Sequence, residues 1–267
     1  MKPIFFTKME GSGNDFVILN NHTGLLSEFI PSSEITGLVQ KLSDRNLGAG
    51  ADGVLIVEGS KDFPFEMKYY NKDGSEAEIC LNGARCIVSY AYRLGLIQEK
   101  GKFMSGSGPI GFFQRNGTVS IEVLPPVDIK LNFSITVKRK KYKVSYLRIG
   151  VPHCVMLVDS FDDIDIPELG EKIRNLKTFQ PDGVNVNFVT HDKNRIYVRT
   201  YERGVEDETL SCGSGVLASA YIATKLFIAD SPITVDTRGG QLQAIIKDKL
   251  YLEGPAKFVF DGVYYVE

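Results

Sequence analysis

Two cysteines lie 132 residues apart in similar glycine-containing blocks. The first block, EAEICLNGARC, contains Cys80, and the second, ETLSCGSGVLA, contains Cys212. The small and apolar residues that follow each block predict a helix buried on nearly all sides. A thiol at such a helix start meets unpaired backbone N–H groups and the positive end of the helix dipole, which favour the thiolate. Either cysteine alone is consistent with buried packing, but the pair predicts two reactive thiols.

Two such thiols could invert a stereocentre by proton transfer. The reaction needs a base on one face of the carbon and an acid on the other, and the two thiols could exchange these roles at each turnover. The N–H groups of the helix starts could bind a carboxylate of the substrate, as helix N-termini bind anions generally. Exclusion of water around the thiolate would strengthen these contacts.

The cysteine blocks belong to a wider internal repeat. The stretch DGVLIV from Asp52 recurs as DGVNVNFV from Asp182, and YYNKDG before Cys80 parallels TYERG before Cys212. In each half, runs of β-branched and aromatic residues predict strands both before and after the helix. The repeat therefore predicts two halves with the same architecture.

The expected fold class is α+β, with two pseudo-symmetric domains and the active site in the cleft between them. Each domain is expected to be a curved, barrel-like β-sheet around a central buried helix. The N-terminal half is expected to comprise residues 1–125, completed by 258–267, and the C-terminal half residues 126–257. The consecutive prolines Pro125 and Pro126 place this boundary.

Composition narrows the class of protein further. The 267 residues are 43% hydrophobic and 24% charged, which is typical of a soluble globular protein, and a net charge of −2 gives no reason to expect nucleic acid or an anionic membrane as partner. No signal peptide is expected, because the N-terminus has no sustained apolar region and no small-residue cleavage site. No membrane span is expected, because the longest near-apolar stretch is short and is interrupted by Lys225. Four cysteines without C-x-x-C spacing predict neither a disulfide framework nor a zinc site. We therefore expect a cytoplasmic protein without a metal.

The motifs EGSGNDFVIL, YYNKDGSEAEIC, NGARC, PHCV, NVNF and ETLSCGSG, in this order, closely resemble those of the diaminopimelate epimerase family. The resemblance extends over essentially the whole chain. It implies the diaminopimelate epimerase-like fold and a cofactor-independent isomerase that interconverts LL- and meso-diaminopimelate, a small amino acid on the route to lysine and peptidoglycan. It also implies a homodimer.

The resemblance assigns roles to residues at matching motif positions. Cys80 and Cys212 are expected to be the acid/base pair, with His153 and Glu202 close enough to tune the thiols and the substrate ammonium. Arg203 is suited to a bidentate hold on the distal carboxylate. The expected substrate-binding residues are the side chains of Asn14, Asn71, Asn185, Glu202 and Arg203 and the backbone at Leu81, Asn82, Gly213 and Ser214. Arg85 is expected to form a structural ion pair.

The chain departs from the family pattern at four places. Leu81 replaces a usual glycine, and Val151 replaces an asparagine that usually binds substrate. Gly53 stands where some members have glutamine, and the segment GVEDETL is one residue longer than usual. The side-chain amide lost at Val151 leaves open a racemase of broader amino-acid specificity with the same mechanism.

Three alternatives of other kinds remain open at this point. A non-catalytic amino-acid-binding protein would keep the binding residues with inert thiols. A redox-switched protein would use a disulfide between Cys80 and Cys212. A pyridoxal-phosphate racemase would need a Schiff-base lysine, which the paired cysteines make unnecessary.

Overall fold

The computed structural model describes residues 2–266, which divide into two compact units. One unit comprises residues 2–121 with 254–266, and the other comprises residues 122–253. The divisions fall four residues before the positions expected from the sequence, 125/126 and 257/258. The first division falls within the strand that ends at Val123, and the second within the strand that ends at Pro255. Neither falls in the connection that follows the strand.

The first unit is a sheet with three helices. Its elements are β1 (Lys2–Gly11), β2 (Asn14–Asn21), α1 (Leu25–Phe29), α2 (Ile35–Ser43), β3 (Gly53–Glu58), β4 (Glu66–Asn71), β5 (Glu76–Ala77), α3 (Leu81–Arg93), β6 (Lys100–Ser105), β7 (Gly108–Arg115) and β8 (Thr118–Val123), with a 3₁₀ turn at Ser32–Glu34. Strand β1 pairs antiparallel with β2, β2 pairs parallel with β3, and β3 pairs antiparallel with β4. Strand β4 pairs parallel with β6, and β6, β7 and β8 form an antiparallel meander.

The second unit repeats this order of strands. Its elements are β9 (Val127–Val137), β10 (Lys140–Ile149), β11 (Val151–Leu157), α4 (Ile166–Arg174), β12 (Asn185–Asp192), β13 (Arg195–Glu202), β14 (Asp207–Thr209), α5 (Gly213–Lys225), β15 (Ile233–Thr237), β16 (Gly240–Ile246) and β17 (Leu250–Pro255), with a 3₁₀ turn at Lys177–Phe179. The pairings from β10 through β13, β15, β16 and β17 follow the same order of antiparallel and parallel pairs as those from β1 to β8. The last strand, β18 (Lys257–Val266), pairs antiparallel with β1 as β9 pairs with β10.

Each unit is built around one buried helix. Helix α3 contacts β1, β2, β3, β4 and β7, and α5 contacts β10, β11, β12, β13, β15 and β16. Both helices are 13 residues long, and most of their residues are buried on every side. A basic residue in the last turn, Arg93 or Lys225, complements the helix dipole. The prediction of an α+β fold with a central buried helix in each half is confirmed.

The sheet of the first unit is covered on both faces, which explains the apolar run of β3. Val54 and Ile56 pack into a cluster with Leu38 and Leu42 of α2, on the face away from α3. Leu55, on the other face, lies against Gly83 of α3. A strand buried on both faces reads as a continuous apolar segment, as GVLIVE does.

Among residues 2–266, no helix combines the length and the apolar character needed to span a membrane.

Candidate active site

Both paired cysteines occupy the N-cap position of a central helix. Cys80 and Cys212 have extended backbones, with φ of −124° and −109°, and each carbonyl accepts the first intrahelical bond, from Ala84 N–H at 2.7 Å or Val216 N–H at 2.9 Å. The N–H groups of the three residues after each cysteine precede that first bond. Cys212 is 6% exposed and Cys80 is half-buried. Each thiol is therefore held at a helix N-terminus, where an anion is stabilised.

The residues after the cysteines are suited to this geometry. Leu81 is the first residue of α3, and its helical backbone keeps φ negative, so the side chain is accommodated where the family usually has glycine. Ser214 is the second residue of α5, and its Oγ lies 3.6 Å from Cys212 Sγ. The departure at Leu81 therefore keeps the backbone N–H at this helix start.

Asn14 joins Cys80 to the start of α3. The Asn14 Oδ1 atom accepts hydrogen bonds from Cys80 Sγ at 3.6 Å and from Asn82 Nδ2 at 3.4 Å. The Asn14 Nδ2 group donates to Asp52 at 2.7 Å, and Asp52 is also paired with Arg45 at 2.8 Å. The structure thus brings together three predicted site residues, and Asp52 fixes the orientation of the Asn14 amide.

Asn71 lies at the end of β4 and stabilises a turn. Its Nδ2 group donates to Ser75 Oγ at 3.1 Å, and its Oδ1 atom accepts from the Tyr69 hydroxyl at 2.8 Å. The backbone N–H of Asn71 donates to the Ser75 carbonyl at 2.9 Å. These bonds hold the Asn71 side chain at the turn that follows β4.

In the second unit, His153 is fully buried on β11 and bonded to Asn187 of β12. The Asn187 Nδ2 group lies 3.2 Å from His153 Nδ1, and the Asn187 Oδ1 atom accepts from the Thr200 hydroxyl at 3.0 Å. An amide nitrogen can only donate, so Nδ1 is the acceptor and a neutral imidazole carries its proton on Nε2. The His153 Nε2 atom is buried without a hydrogen-bond partner within residues 2–266. Buried donors are nearly always hydrogen-bonded, so the unpaired Nε2 atom makes His153 a candidate for contact with a ligand.

Burial, with a contribution from the Arg203 charge, lowers the pKa of His153 from 6.5 to about 3. The ring is therefore neutral throughout the physiological range. A neutral histidine of this tautomer can donate a hydrogen bond through Nε2 but carries no charge.

We expect this buried histidine to give the fold a pH-dependent stability. The unfolded chain binds a proton below pH 6.5 and the folded chain does not until about pH 3, so stability is full above pH 6.5 and falls as the pH is lowered. Between pH 7 and pH 5 the loss is about 2 kcal/mol for one such group. Urea unfolding of wild type and of His153→Gln at both pH values measures it. An equal loss in the two proteins would contradict this expectation.

The other predicted residues of the second unit lie at the ends of β12 and β13. Asn185 begins β12 beside His153, and its Oδ1 atom accepts from the Arg203 backbone N–H at 2.8 Å. The Arg203 Nη1 group donates to the Asp182 carbonyl at 2.8 Å. Glu202 ends β13 and accepts a hydrogen bond from the Thr209 hydroxyl at 2.9 Å. These bonds hold the Glu202–Arg203 pair at the end of its strand.

A buried carboxylate fixes the segment between β13 and Cys212. Glu208 accepts two hydrogen bonds from Arg199, at 2.7 and 2.6 Å, and lies 3.3 Å from Arg238. Paired hydrogen bonds of this kind fix the position of a carboxylate group. Glu208 therefore positions the strand β14 that leads to Cys212.

Sequence reasoning missed several residues of these groups, among them Asn187, Asp52 and Thr200. Asn187 follows Asn185 by two residues in NVNF, so the alternation of a strand puts both amides on one face. The two-residue repeat of a strand was therefore a signal in the sequence that could have identified Asn187. The expectation of an ion pair for Arg85 is wrong, since within the described part of the chain its guanidinium meets no carboxylate.

Comparisons with known proteins identify the fold and the family. The structure of the Bacillus anthracis phenazine biosynthesis protein of the PhzF family matches with a TM-score of 0.76 and 14% identity, over 100% of both chains. A hydroxyproline epimerase from Agrobacterium vitis matches with a TM-score of 0.74 and 13% identity, over 99% of this chain and 91% of that one. At such identities the likeness establishes a shared fold, sheet-dominated and α+β.

The sequence comparisons go further. Diaminopimelate epimerases from Methanocella arvoryzae and Archaeoglobus fulgidus are 40% and 38% identical, over 98% and 97% of this chain and 97% and 96% of those proteins. The model of the diaminopimelate epimerase family matches residues 6–110 and 145–259. The chain belongs to the diaminopimelate epimerase family and is an isomerase, which confirms the resemblance found in the motifs.

Proposed function

We propose that this enzyme interconverts LL- and meso-diaminopimelate without a cofactor, with Cys80 and Cys212 as the two groups that transfer the α-proton. The observation that carries the mechanism is the N-cap position of both cysteines, each on the buried helix of a unit with the same topology. Full-length relatives named diaminopimelate epimerase support the substrate.

In this mechanism one cysteine is a thiolate and the other a thiol. The thiolate takes the α-proton, so that an S–H bond forms as the C–H bond breaks and the electron pair moves into the substrate carboxylate. The other thiol gives its proton to the opposite face of the carbon and becomes a thiolate. The protonation states are then exchanged, which prepares the enzyme for the reverse reaction.

The helix starts stabilise the charge that develops on the carboxylate. We assign this role to the backbone N–H groups of Leu81 and Asn82 in α3 and of Gly213 and Ser214 in α5. Each of these N–H groups precedes the first intrahelical bond of its helix, so it is not used within the helix. The helix backbone holds the groups in place before substrate arrives. Donors oriented in advance toward a developing anion lower the barrier without reorganisation.

Polar side chains are assigned to the rest of the substrate. Arg203, with one Nη1 bond already made to the Asp182 carbonyl, presents the remainder of its guanidinium to the distal carboxylate. Glu202 is assigned to a substrate ammonium, and His153 is assigned as a neutral donor through its unpartnered Nε2 atom. Asn14, Asn71 and Asn185 are assigned to line the site.

The decisive experiment is an incubation of reduced enzyme with LL-diaminopimelate in D2O, without added cofactor. Chiral separation and mass spectrometry should find meso product with one α-deuterium. A parallel incubation with L-lysine tests the racemase of broader specificity that Val151 leaves open, and inversion there would widen the substrate class. Bound substrate with neither inversion nor exchange would replace the proposal by a non-catalytic binding protein.

We also propose that the enzyme is a homodimer that uses the apolar side chains of β18. Phe258, Val259 and Phe260 are consecutive and exposed by 40, 54 and 48%, and Phe5 and Tyr265 nearby are exposed by 73 and 60%. A strand with one packed face exposes alternate residues, whereas here three apolar residues in a row are exposed. A self-complementary contact between two copies would remove this apolar surface from water.

Sedimentation velocity tests this interface. Wild type should sediment as a dimer, and Phe260→Glu should shift the population toward monomer because it places a charge in the contact. Phe227→Glu, at a phenylalanine that is 95% exposed in the second unit, is the matched control and should leave the dimer intact. A dimer unaffected by Phe260→Glu would place the interface elsewhere.

The proposed chemistry requires both cysteines to be reduced and not joined in a disulfide, so we propose that the enzyme works in a reducing compartment, the cytoplasm. A chain with only four cysteines fits this assignment.

A further inference from the structure

Arg85 is fully buried without an anionic partner. Its Nη2 group donates to Ser12 Oγ at 2.9 Å and its Nε group to the Pro255 carbonyl at 3.3 Å, and both acceptors are neutral. Its Nη1 group has no hydrogen-bond partner within residues 2–266. A buried cation without a carboxylate is costly to the fold. Such a group therefore needs an explanation from function.

The charges of three ionisable side chains act on this guanidinium. Burial lowers the pKa of Arg85, and the negative charges that Cys86, Cys80 and Glu10 carry when ionised act in the opposite direction. Glu10 is already engaged, since it pairs with Lys257 at 3.1 Å and accepts the Gly13 backbone N–H at 3.0 Å.

The thiol of Cys86, one of these three side chains, remains neutral. Burial raises the pKa of Cys86 to about 12, so it carries no charge at neutral pH. A negative charge on Cys80 would in turn be favoured by the guanidinium, since each charge acts on the other.

Arg85 also holds the turn between β1 and β2. Its Ser12 bond fixes a residue with φ of 59°, in the left-handed region, followed by Gly13 with φ of 80°. The next residue, Asn14, accepts the hydrogen bond from Cys80. The guanidinium thus acts on the thiol both through its charge and through the turn that presents Asn14.

We propose that Arg85 is a positioning residue for Cys80: its buried guanidinium, left without a carboxylate, favours the Cys80 thiolate and holds Asn14 against it. This inference rests on the proposed function, in which Cys80 removes or returns the α-proton. The charges that face the pair are those of Glu10 with Lys257 and, behind Asn14, a network of two carboxylates and two cations, Asp15, Asp52, Lys8 and Arg45. The charges balance within each group, so their net effect on the thiol is small.

The test measures the ionisation of Cys80 without substrate. The rate of alkylation of Cys80 by iodoacetamide, followed by peptide mass spectrometry across pH, gives the midpoint of the thiolate. We expect a wild-type midpoint below about 8.5, the value of an unperturbed cysteine. Arg85→Met should raise it by about one pH unit or more and slow α-deuterium exchange about tenfold at neutral pH, as the thiolate fraction falls. Arg85→Lys should largely restore the midpoint.

Two controls separate this role from a structural one. Arg93→Gln removes an exposed arginine at the other end of α3 and should leave the Cys80 midpoint unchanged. Cys86, which is fully buried, should resist alkylation in every folded variant and so reports unfolding.

If the midpoint of Cys80 alkylation in Arg85→Met equals that of wild type while Cys86 stays unlabelled, so that the variant is folded, the inference is overturned. If Arg85→Met unfolds, a wild-type midpoint at or above that of a free cysteine overturns it instead. Failure of the proposed function would show separately, as a lack of exchange in wild type.

Discussion

Replacement of either Cys80 or Cys212 by alanine is expected to abolish interconversion of the two diaminopimelate isomers and to leave a folded protein. Each thiol is one of two proton-transfer groups, and removal of such a group slows turnover by about 10²–10⁴-fold. Because inversion requires both faces of the carbon, either replacement alone should be sufficient.

The two variants should differ in which diastereomer of the substrate still exchanges its α-hydrogen with solvent. In a variant with one thiol, the remaining thiolate can still remove a proton and return deuterium to the same face. Cys80→Ala should therefore exchange the α-hydrogen of one diastereomer without inversion, and Cys212→Ala that of the other. Mass spectrometry of each recovered isomer in D2O measures this asymmetry.

Cys86→Ala is the matched control for these variants. Cys86 lies on the same helix as Cys80 but is fully buried, and its thiol takes no part in the proposed chemistry. It should keep both inversion and exchange, with a loss of stability of about 1 kcal/mol from the removed sulfur. Inversion at the wild-type rate in either Cys80→Ala or Cys212→Ala would refute the two-thiol mechanism.

The repeated cysteine blocks predicted the two central helices because several independent signals coincide there. The glycines after Cys80 and Cys212 and the apolar residues on all sides describe a helix packed within a sheet. The structure starts α3 and α5 at the residues directly after these cysteines. Local sequence determines this feature, so it can be read without the fold.

The outer helices α1, α2 and α4 were not anticipated, for a topological reason. Strands β2 and β3 pair in parallel, as do β11 and β12, and a parallel pair needs a crossover, which is usually helical. The sequence shows where strands occur but not which of them pair in parallel. The need for a helix between them is therefore visible only in the structure.

The polar groups around the thiols were predicted only in part. Asn14 and Asn185 stand in recognisable motifs. The Asn14 amide, however, is oriented by Asp52, which is paired with Arg45, and both of these residues lie more than 30 positions away in the sequence. Arg85 shows the same limit, since a buried arginine suggests a carboxylate and the structure supplies Ser12 and a carbonyl instead. Contacts between distant segments depend on register, which local patterns do not specify.

Gly215→Ala is expected to be the most damaging small substitution near Cys212. A Cβ atom at this position would lie 2.2 Å from Asn187 Oδ1 and 3.3 Å from Cys212 Cβ. Asn187 is fully buried and bonded to His153 and Thr200, so it cannot move without breaking those bonds. Overpacking together with a lost buried hydrogen bond should cost about 3 kcal/mol of unfolding free energy.

The matched control is Gly37→Ala, which makes the same chemical change inside α2. A Cβ atom at Gly37 meets nothing within 4 Å, so alanine should stabilise the protein by about 0.5–1 kcal/mol through helix propensity. Urea unfolding of both variants and of wild type gives the two free-energy changes.

A double variant separates packing from chemistry. In Gly215→Ala with Asn187→Ser, the shorter side chain relieves the clash, and part of the lost stability should return. The hydrogen bond to His153 Nδ1 is still missing, so the imidazole loses the contact that fixes its tautomer, and α-deuterium exchange should remain slow. Recovery of exchange together with stability would mean that Asn187 only fills space. A Gly215→Ala protein as stable as wild type would show that α5 can shift away from β12.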